Sequence, residues 1–323
     1  MNAAISIDGL TKSFGKVQAL RGISMQVEAG TVCGFIGPNG AGKTTTLRIL
    51  LGLLPGDGGS VKVLGDDVVF GRELSLQSKL AYLPQDPVFP ERHTGQEVMD
   101  LVAALYGMDA GAARDRSAAL LRQFHLEDSQ KHSVGTYSRG MKQRLGLAAC
   151  FLPEPELLVL DEPVSALDPE GRVEVFGLLR SLKGRATVLF SSHILEDVER
   201  VSDKLVMVKA GRNVVEGPME EILSRYAADR LRFEVHPGDE EKARALLTGM
   251  PWVSAVSGSD GPDAGAPPTP AASSTLYADV RRGQMDVALD GTLAALVSQG
   301  VRMREFGRSR TDLETVFLRL SAD

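Results

Sequence analysis

The chain is short of the residues that build covalent or metal frameworks: 2 cysteines and 5 histidines among 323 residues. Cys33 and Cys150 cannot make a disulfide network or a four-ligand zinc site. They read as two buried thiols of a reducing compartment. The histidines show no paired metal spacing. Long apolar runs are missing as well, and nothing approaches the ~18–20 apolar residues of a membrane span. Met1 to Asp8 lack the basic region and apolar run of a secretory signal. A cytoplasmic chain is expected, with any membrane span supplied by another chain. Nor is there an excess of positive charge. The 36 Lys and Arg against 42 Asp and Glu leave −6, which excludes wrapping of nucleic acid by charge alone.

What is present is ordinary globular material, 43% hydrophobic and 24% charged, enough for about two domains. Up to about residue 228, strand and helix signals alternate. Ile23, Met25 and Val27 recur at period 2. Val32–Ile36, Leu157–Leu160 and Val188–Phe190 are continuous apolar runs, the pattern of strands buried on both faces. Thr94 and Glu97 form a capping box ahead of Val98, Leu101, Val102 and Leu105. Residues 1–228 are therefore expected to be an α/β domain with a largely parallel sheet. Residues 229–323 read strand–helix–strand twice, a small α+β unit of ferredoxin-like type, with a final helix at Thr311–Leu320. Inside it, Ser257 to Ser274 uses only Ser, Gly, Asp, Pro, Ala and Thr, a flexible linker composition.

The chemistry is concentrated in two places. Gly37-Pro38-Asn39-Gly40-Ala41-Gly42-Lys43-Thr44-Thr45 follows an apolar strand and opens an apolar-periodic helix, the context of a phosphate-binding loop. Backbone N–H groups and the helix N-terminus would cradle phosphate oxygens. Lys43 would reach the β- and γ-phosphates of ATP, and Thr44 would offer its hydroxyl to Mg²⁺. Leu157–Leu160 then carries Asp161 and Glu162 at its exit. Alone, two acids after a strand suit a solvated turn. After a phosphate loop they suit a pair in which Asp161 holds Mg²⁺ through water and Glu162 takes a proton from attacking water.

Tyr137-Ser138-Arg139-Gly140-Met141-Lys142-Gln143-Arg144, placed shortly before the acidic strand, resembles the signature loop of ABC ATPases. Ser138 and Gly140 match, while Arg139 and Met141 stand where the family has Gly and Gln. The resemblance covers roughly residues 4–225. It implies a P-loop nucleotide-binding domain with a helical subdomain, an ATP-hydrolysing enzyme, and further site residues. Gln85 resembles the glutamine that touches Mg²⁺ or water and couples to a membrane subunit. Asp168 ends the matching loop after the acidic strand, and His193 matches the switch histidine at the γ-phosphate. Phe14 fits the aromatic stacked on adenine and fits a core position equally.

The resemblance further implies a homodimer with ATP between Lys43 of one chain and Ser138 of the other. Its partners would be integral membrane permease subunits met through Gln85–Tyr106, with the chain peripheral at the inner face of the membrane. Thr311–Leu320 looks like the ending of ATPase subunits of bacterial drug and antibiotic exporters, which points to export. The alternative is a soluble ABC ATPase acting on nucleic acid or ribosomes. Such proteins carry long coiled-coil insertions or two ATPase domains, and this sequence has neither. The sequence does not specify the transported molecule.

Overall fold

In the computed structural model, which describes residues 3–72, 78–226, 229–258, 274–309 and 313–322, the continuous apolar runs become the middle of a six-stranded sheet. The strands, in chain order, are β1 (Ala3–Phe14), β2 (Val17–Glu28), β3 (Val32–Ile36), β4 (Gly58–Val63), β5 (Asp66–Asp67), β6 (Leu80–Leu83), β7 (Leu157–Asp161), β8 (Thr187–Ser192), β9 (Lys204–Lys209) and β10 (Arg212–Pro218). The six-stranded sheet has the order β10-β9-β3-β8-β7-β6. Its pairs are parallel except for the antiparallel edge β10. Every residue of β3, β7 and β8 is buried, as parallel strands covered on both faces must be.

Register decides where the site lies. Ile36 pairs with Ser192, Asp161 with Ser191, and Leu83 with Leu160. Strands β3, β8, β7 and β6 therefore end at one edge, and the loops that follow them leave side by side, where open α/β sheets bind ligands.

A second, antiparallel sheet, β2-β1-β4-β5, adds to the largely parallel arrangement expected from the sequence. It shares one core with the six-stranded sheet: Ile5, Ile23 and Met25 join Phe35, Val159, Leu189 and Val206. The helices are α1 (Lys43–Leu50), α2 (Gly95–Leu105), α3 (Ala110–Gln123), α4 (Arg139–Phe151), α5 (Pro169–Ser181), α6 (Leu195–Val201) and α7 (Met219–Arg225). Helices α2, α3 and α4 pack on one another between β6 and β7. The capping box of α2 is present, with Glu97 N–H donating to Thr94 Oγ1 at 3.2 Å and Thr94 N–H donating to Glu97 Oε2 at 2.7 Å.

The chain divides into two compact units, Met1–Ile222 and Leu223–Asp323. The second contains β11 (Arg230–Val235), α8 (Glu240–Thr248), β12 (Val253–Gly258), β13 (Ser274–Val280), α9 (Met285–Ser298), β14 (Met303–Arg308) and α10 (Leu313–Ala322). Its sheet runs β12-β13-β11-β14 with every pair antiparallel, the topology of a ferredoxin-like βαββαβ unit. Leu231, Phe233, Leu247, Leu276 and Leu296 form its core. Of the Ser257–Ser274 linker, Ser257 and Gly258 finish β12 and Ser274 opens β13; the rest lies outside the described residues, as does Thr311. Among the described residues no helix is long and apolar enough to cross a membrane.

Candidate functional site

The loop after β3 turns tightly because glycine is the only residue that fits at two of its positions. A Cβ on Gly37 would stand 2.2 Å from the Val208 carbonyl oxygen. Gly42 has φ +105° and would bring a Cβ within 2.5 Å of Leu20 Cδ2, so both sterics and backbone angle demand glycine. Gly37 and Ala41 are buried, while Pro38, Asn39 and Gly40 face solvent. The loop ends on the first turn of α1, where backbone N–H groups have no intrahelical partner. Lys43 Nζ folds back over the loop and donates to Gly37 O at 2.6 Å. Thr44 and Thr45 are half-buried on the same turn. Thr46 spends its hydroxyl on Gly42 O at 3.0 Å.

Asp161 and Glu162 emerge from β7 beside this loop. Glu162 Oε1 lies 3.7 Å from Lys43 Nζ, both side chains being less than a tenth exposed. Its Oε2 is 2.8 Å from His193 Nδ1; the carboxylate can only accept, so the ring N–H donates. Thus the loops after β3, β7 and β8 meet through one carboxylate. The Glu162 backbone is left-handed, φ +50°, a conformation costing a non-glycine residue about 1–3 kcal/mol. It is held on both sides. Glu162 N–H donates to Ser191 Oγ at 2.9 Å, and its carbonyl accepts from Ser165 N–H at 3.2 Å.

Asp161 is 1% exposed. Its Oδ1 accepts from Ser191 Oγ at 2.6 Å, and its Oδ2 is buried without a hydrogen-bond partner. Burial, and after it the charge of Asp161, pushes the Tyr82 phenol above its usual range. An orphaned carboxylate oxygen beside a phosphate loop suits a hard cation, which takes oxygen ligands. Among the described residues no three His, Cys, Asp or Glu side chains cluster to hold a metal.

The structure does not bring the remaining residues singled out in the sequence into contact with this centre; their described partners lie in other loops and helix starts of the first unit. Gln85 is exposed in the loop after β6. Phe14 closes β1 at 49% exposure, which removes the core reading, and Lys12 Nζ stands 5.6 Å from its ring centroid. Ser138 caps α4, its Oγ accepting from Met141 N–H at 3.2 Å. A Cβ on Gly140 would come 3.0 Å from Ala166 O, so the signature loop lies against the loop that follows the acidic strand. Asp168 stands at the N-cap position of α5 without a side-chain capping bond and pairs with Arg144 at 3.1 Å. Arg139 donates to Asp86 Oδ1 at 2.8 Å and 3.0 Å, joining the signature loop to the neighbour of Gln85. In the loop after Gln85, Val88 is 90% exposed and Phe89 half-buried.

Two residues escaped the sequence reading. Gln143, fully buried in α4, donates through Nε2 to Pro163 O at 2.9 Å. Ser191 bonds both Asp161 and Glu162. Gln143 stands between Lys142 and Arg144 and carries no local signal, while Ser191 follows a short apolar run; a buried polar side chain persists only where it is bonded.

A family model described as ABC transporter matches residues 20–165. The daunorubicin resistance ATP-binding protein DrrA3 of Streptomyces coeruleorubidus is 36% identical over 324 residues, spanning 100% of this chain and 97% of that protein. The Nod factor export ATP-binding protein I of Burkholderia orbicola is 36% identical over 258 residues, 79% of this chain and 84% of its own. A solved ATP-binding subunit of an ABC transporter superimposes with TM-score 0.64 at 31% identity, covering 69% of this chain and 93% of that one.

Proposed function

The chain belongs to the ATP-binding, ATP-hydrolysing subunits of ABC transporters, and from that premise we propose that it drives an exporter, closing as a homodimer around Mg²⁺-ATP to move separate membrane subunits. The observation that carries the site assignment is the carboxylate of Glu162 between Lys43 and His193. Lys43 is the cation for the terminal phosphates. Glu162 is the base that takes the proton of the attacking water, and His193 fixes its orientation. Glu162 Oε1 faces Lys43 at 3.7 Å. Arrival of phosphate gives that ammonium a stronger anion and leaves Oε1 to the water. Thr44, Asp161 and Gln85 are the residues that would hold Mg²⁺, which would neutralise charge on the phosphate oxygens. Phe14, exposed at the end of β1, is offered to adenine.

Export is supported by relatives named for daunorubicin resistance and Nod factor export. Contact with membrane subunits is supported by apolar side chains left in water at Val88, Leu101 and Leu105, within the segment from Gln85 to Tyr106. Exposed apolar side chains of this kind suit an interaction surface. The same reading places the chain at the cytoplasmic face of the membrane. Residues 1–228 then form the ATPase domain, and residues 229–323 form an accessory domain for dimer contact or regulation.

The test is phosphate release by the purified chain, alone and with its membrane partners in inside-out vesicles. The reading expects hydrolysis lost in Lys43→Ala and ATP-driven uptake of substrate into the vesicles. Activity surviving Lys43→Ala, or stimulation by RNA or ribosomes in place of membrane partners, would refute it.

A further inference from the structure

We propose that Ser191 is a positioning residue for the hydrolytic centre: its one hydroxyl fixes both the side chain of Asp161 and the backbone of Glu162. This rests on the reading above, in which Asp161 faces Mg²⁺ and Glu162 is the base. Ser191 has no exposure and follows Val188, Leu189 and Phe190 in its strand. A hydroxyl there is costly unless it is bonded, and this one is used in both directions. It donates to Asp161 Oδ1 at 2.6 Å, the short distance of a charge-assisted bond, and accepts from Glu162 N–H at 2.9 Å. The parallel register sets Ser191 directly against Asp161, so the contact follows from strand pairing rather than from a loop.

Two consequences follow. With Oδ1 engaged by Ser191, Oδ2 is the oxygen left without a hydrogen bond. Ser191 thereby selects which oxygen is turned to the cation. The same hydroxyl anchors the N–H of the residue whose backbone is left-handed, which aims the Glu162 side chain between Lys43 and His193. Ser191 touches neither nucleotide nor water in this role; it acts through its two acidic neighbours.

The test compares Ser191→Thr with Ser191→Val in the full chain, two side chains of one shape that differ in the hydroxyl, beside Ser191→Ala, Asp161→Asn and the Ser191→Ala/Asp161→Asn double variant. Affinity for a fluorescent methylanthraniloyl-ATP is measured in EDTA and in Mg²⁺, with thermal melting as a check on folding. The Mg²⁺-dependent gain in affinity should fall ~10-fold or more in the Val and Ala variants, the scale of one charge-assisted hydrogen bond. Thr should retain most of that gain, and affinity in EDTA should not change. The double variant should be no worse than Asp161→Asn alone, because Ser191 works through that carboxylate. Thr as poor as Val, a full Mg²⁺ gain in the Ala variant, or additive losses in the double variant would each overturn the proposal. If Asp161→Asn itself keeps the whole Mg²⁺ gain, the metal assignment of Asp161 fails, and the role of Ser191 falls with it.

Discussion

Replacing Glu162 by glutamine separates binding from hydrolysis, and its size can be worked from the site. Glutamine keeps the length of glutamate but cannot accept a proton from water. Loss of a general base costs about 10²–10⁴ in rate, or roughly 3–5 kcal/mol on the barrier at about 1.4 kcal/mol per tenfold. Binding moves the other way. The carboxylate lies 3.7 Å from Lys43 Nζ, a gross attraction of about 4 kcal/mol at an effective dielectric near 20. Phosphate must displace that partner, and Glu162→Gln removes it. The gain is smaller than the gross figure because the unpaired ammonium gains solvation from the loop and water. ATP should therefore bind at least as tightly as to the natural chain, and up to ~10-fold tighter, a shift of about 1.4 kcal/mol. Two assays decide: single-turnover release of the terminal phosphate, and equilibrium binding with gel filtration in Mg²⁺-ATP. Hydrolysis near the natural rate would strip Glu162 of the role of base. Weaker ATP binding would refute the displacement argument. A variant that stays monomeric at saturating ATP would count against the shared-site dimer. Lys43→Ala should show the reverse pattern, losing binding and dimer together.

Val88→Asp puts a charge on the tip of the loop after Gln85; it should abolish transport and co-purification with the membrane subunits while the isolated chain hydrolyses ATP normally, and unchanged vesicle transport would move the docking surface elsewhere. Burial raises the Cys33 thiol well above its ordinary range and pushes Cys150 up to about 12. At pH 8 the Cys150 thiolate is then roughly one part in 10⁴, so neither thiol should react with Ellman's reagent until guanidinium unfolds the chain. Reactivity of Cys150 should rise about tenfold per pH unit as thiolate forms, and rapid modification at pH 8 would show that it is reachable. A chain ending at Tyr226 should remain soluble and bind ATP as the full chain does, because every nucleotide-facing residue precedes that point; an insoluble product would mean that the two compact units depend on each other for folding.

The phosphate loop, the acidic strand exit and the capped helix at Thr94 were legible in the sequence because each depends on local rules: glycine where backbone must turn, apolar runs where strands are covered, a hydroxyl and a carboxylate three residues apart. The antiparallel sheet was not. In β1 the register shifts between Ile7 and Leu10 and again between Lys12 and Ser13, and each bulge breaks the alternation that a period-2 pattern needs. The apolar run of β8 stops at Phe190, while the strand goes on through Ser191 and Ser192. Both are buried: Ser192 Oγ accepts from Ile194 N–H, and Ser191 is bonded by a carboxylate of the neighbouring strand, a partner 30 positions away in the chain that nothing local announces. Gln143 was hidden in the same way within the apolar face of α4. The exposure of Phe14, by contrast, distinguishes two readings that the sequence left equal.

The Arg139–Asp86 pair has a consequence for reversibility. Both side chains are about two-thirds exposed, and a surface ion pair of that kind contributes about 0–1 kcal/mol. It can bias two neighbouring loops toward one arrangement by no more than roughly fivefold, and dissolved salt, with a screening length of about 8 Å at physiological strength, weakens it further. A glycine at position 139 would leave the two loops without this link. A deeply buried ion pair would freeze them, since breaking one costs several kcal/mol. The arginine gives a latch that thermal motion opens and recloses, and ionic strength becomes the dial by which its grip can be turned down.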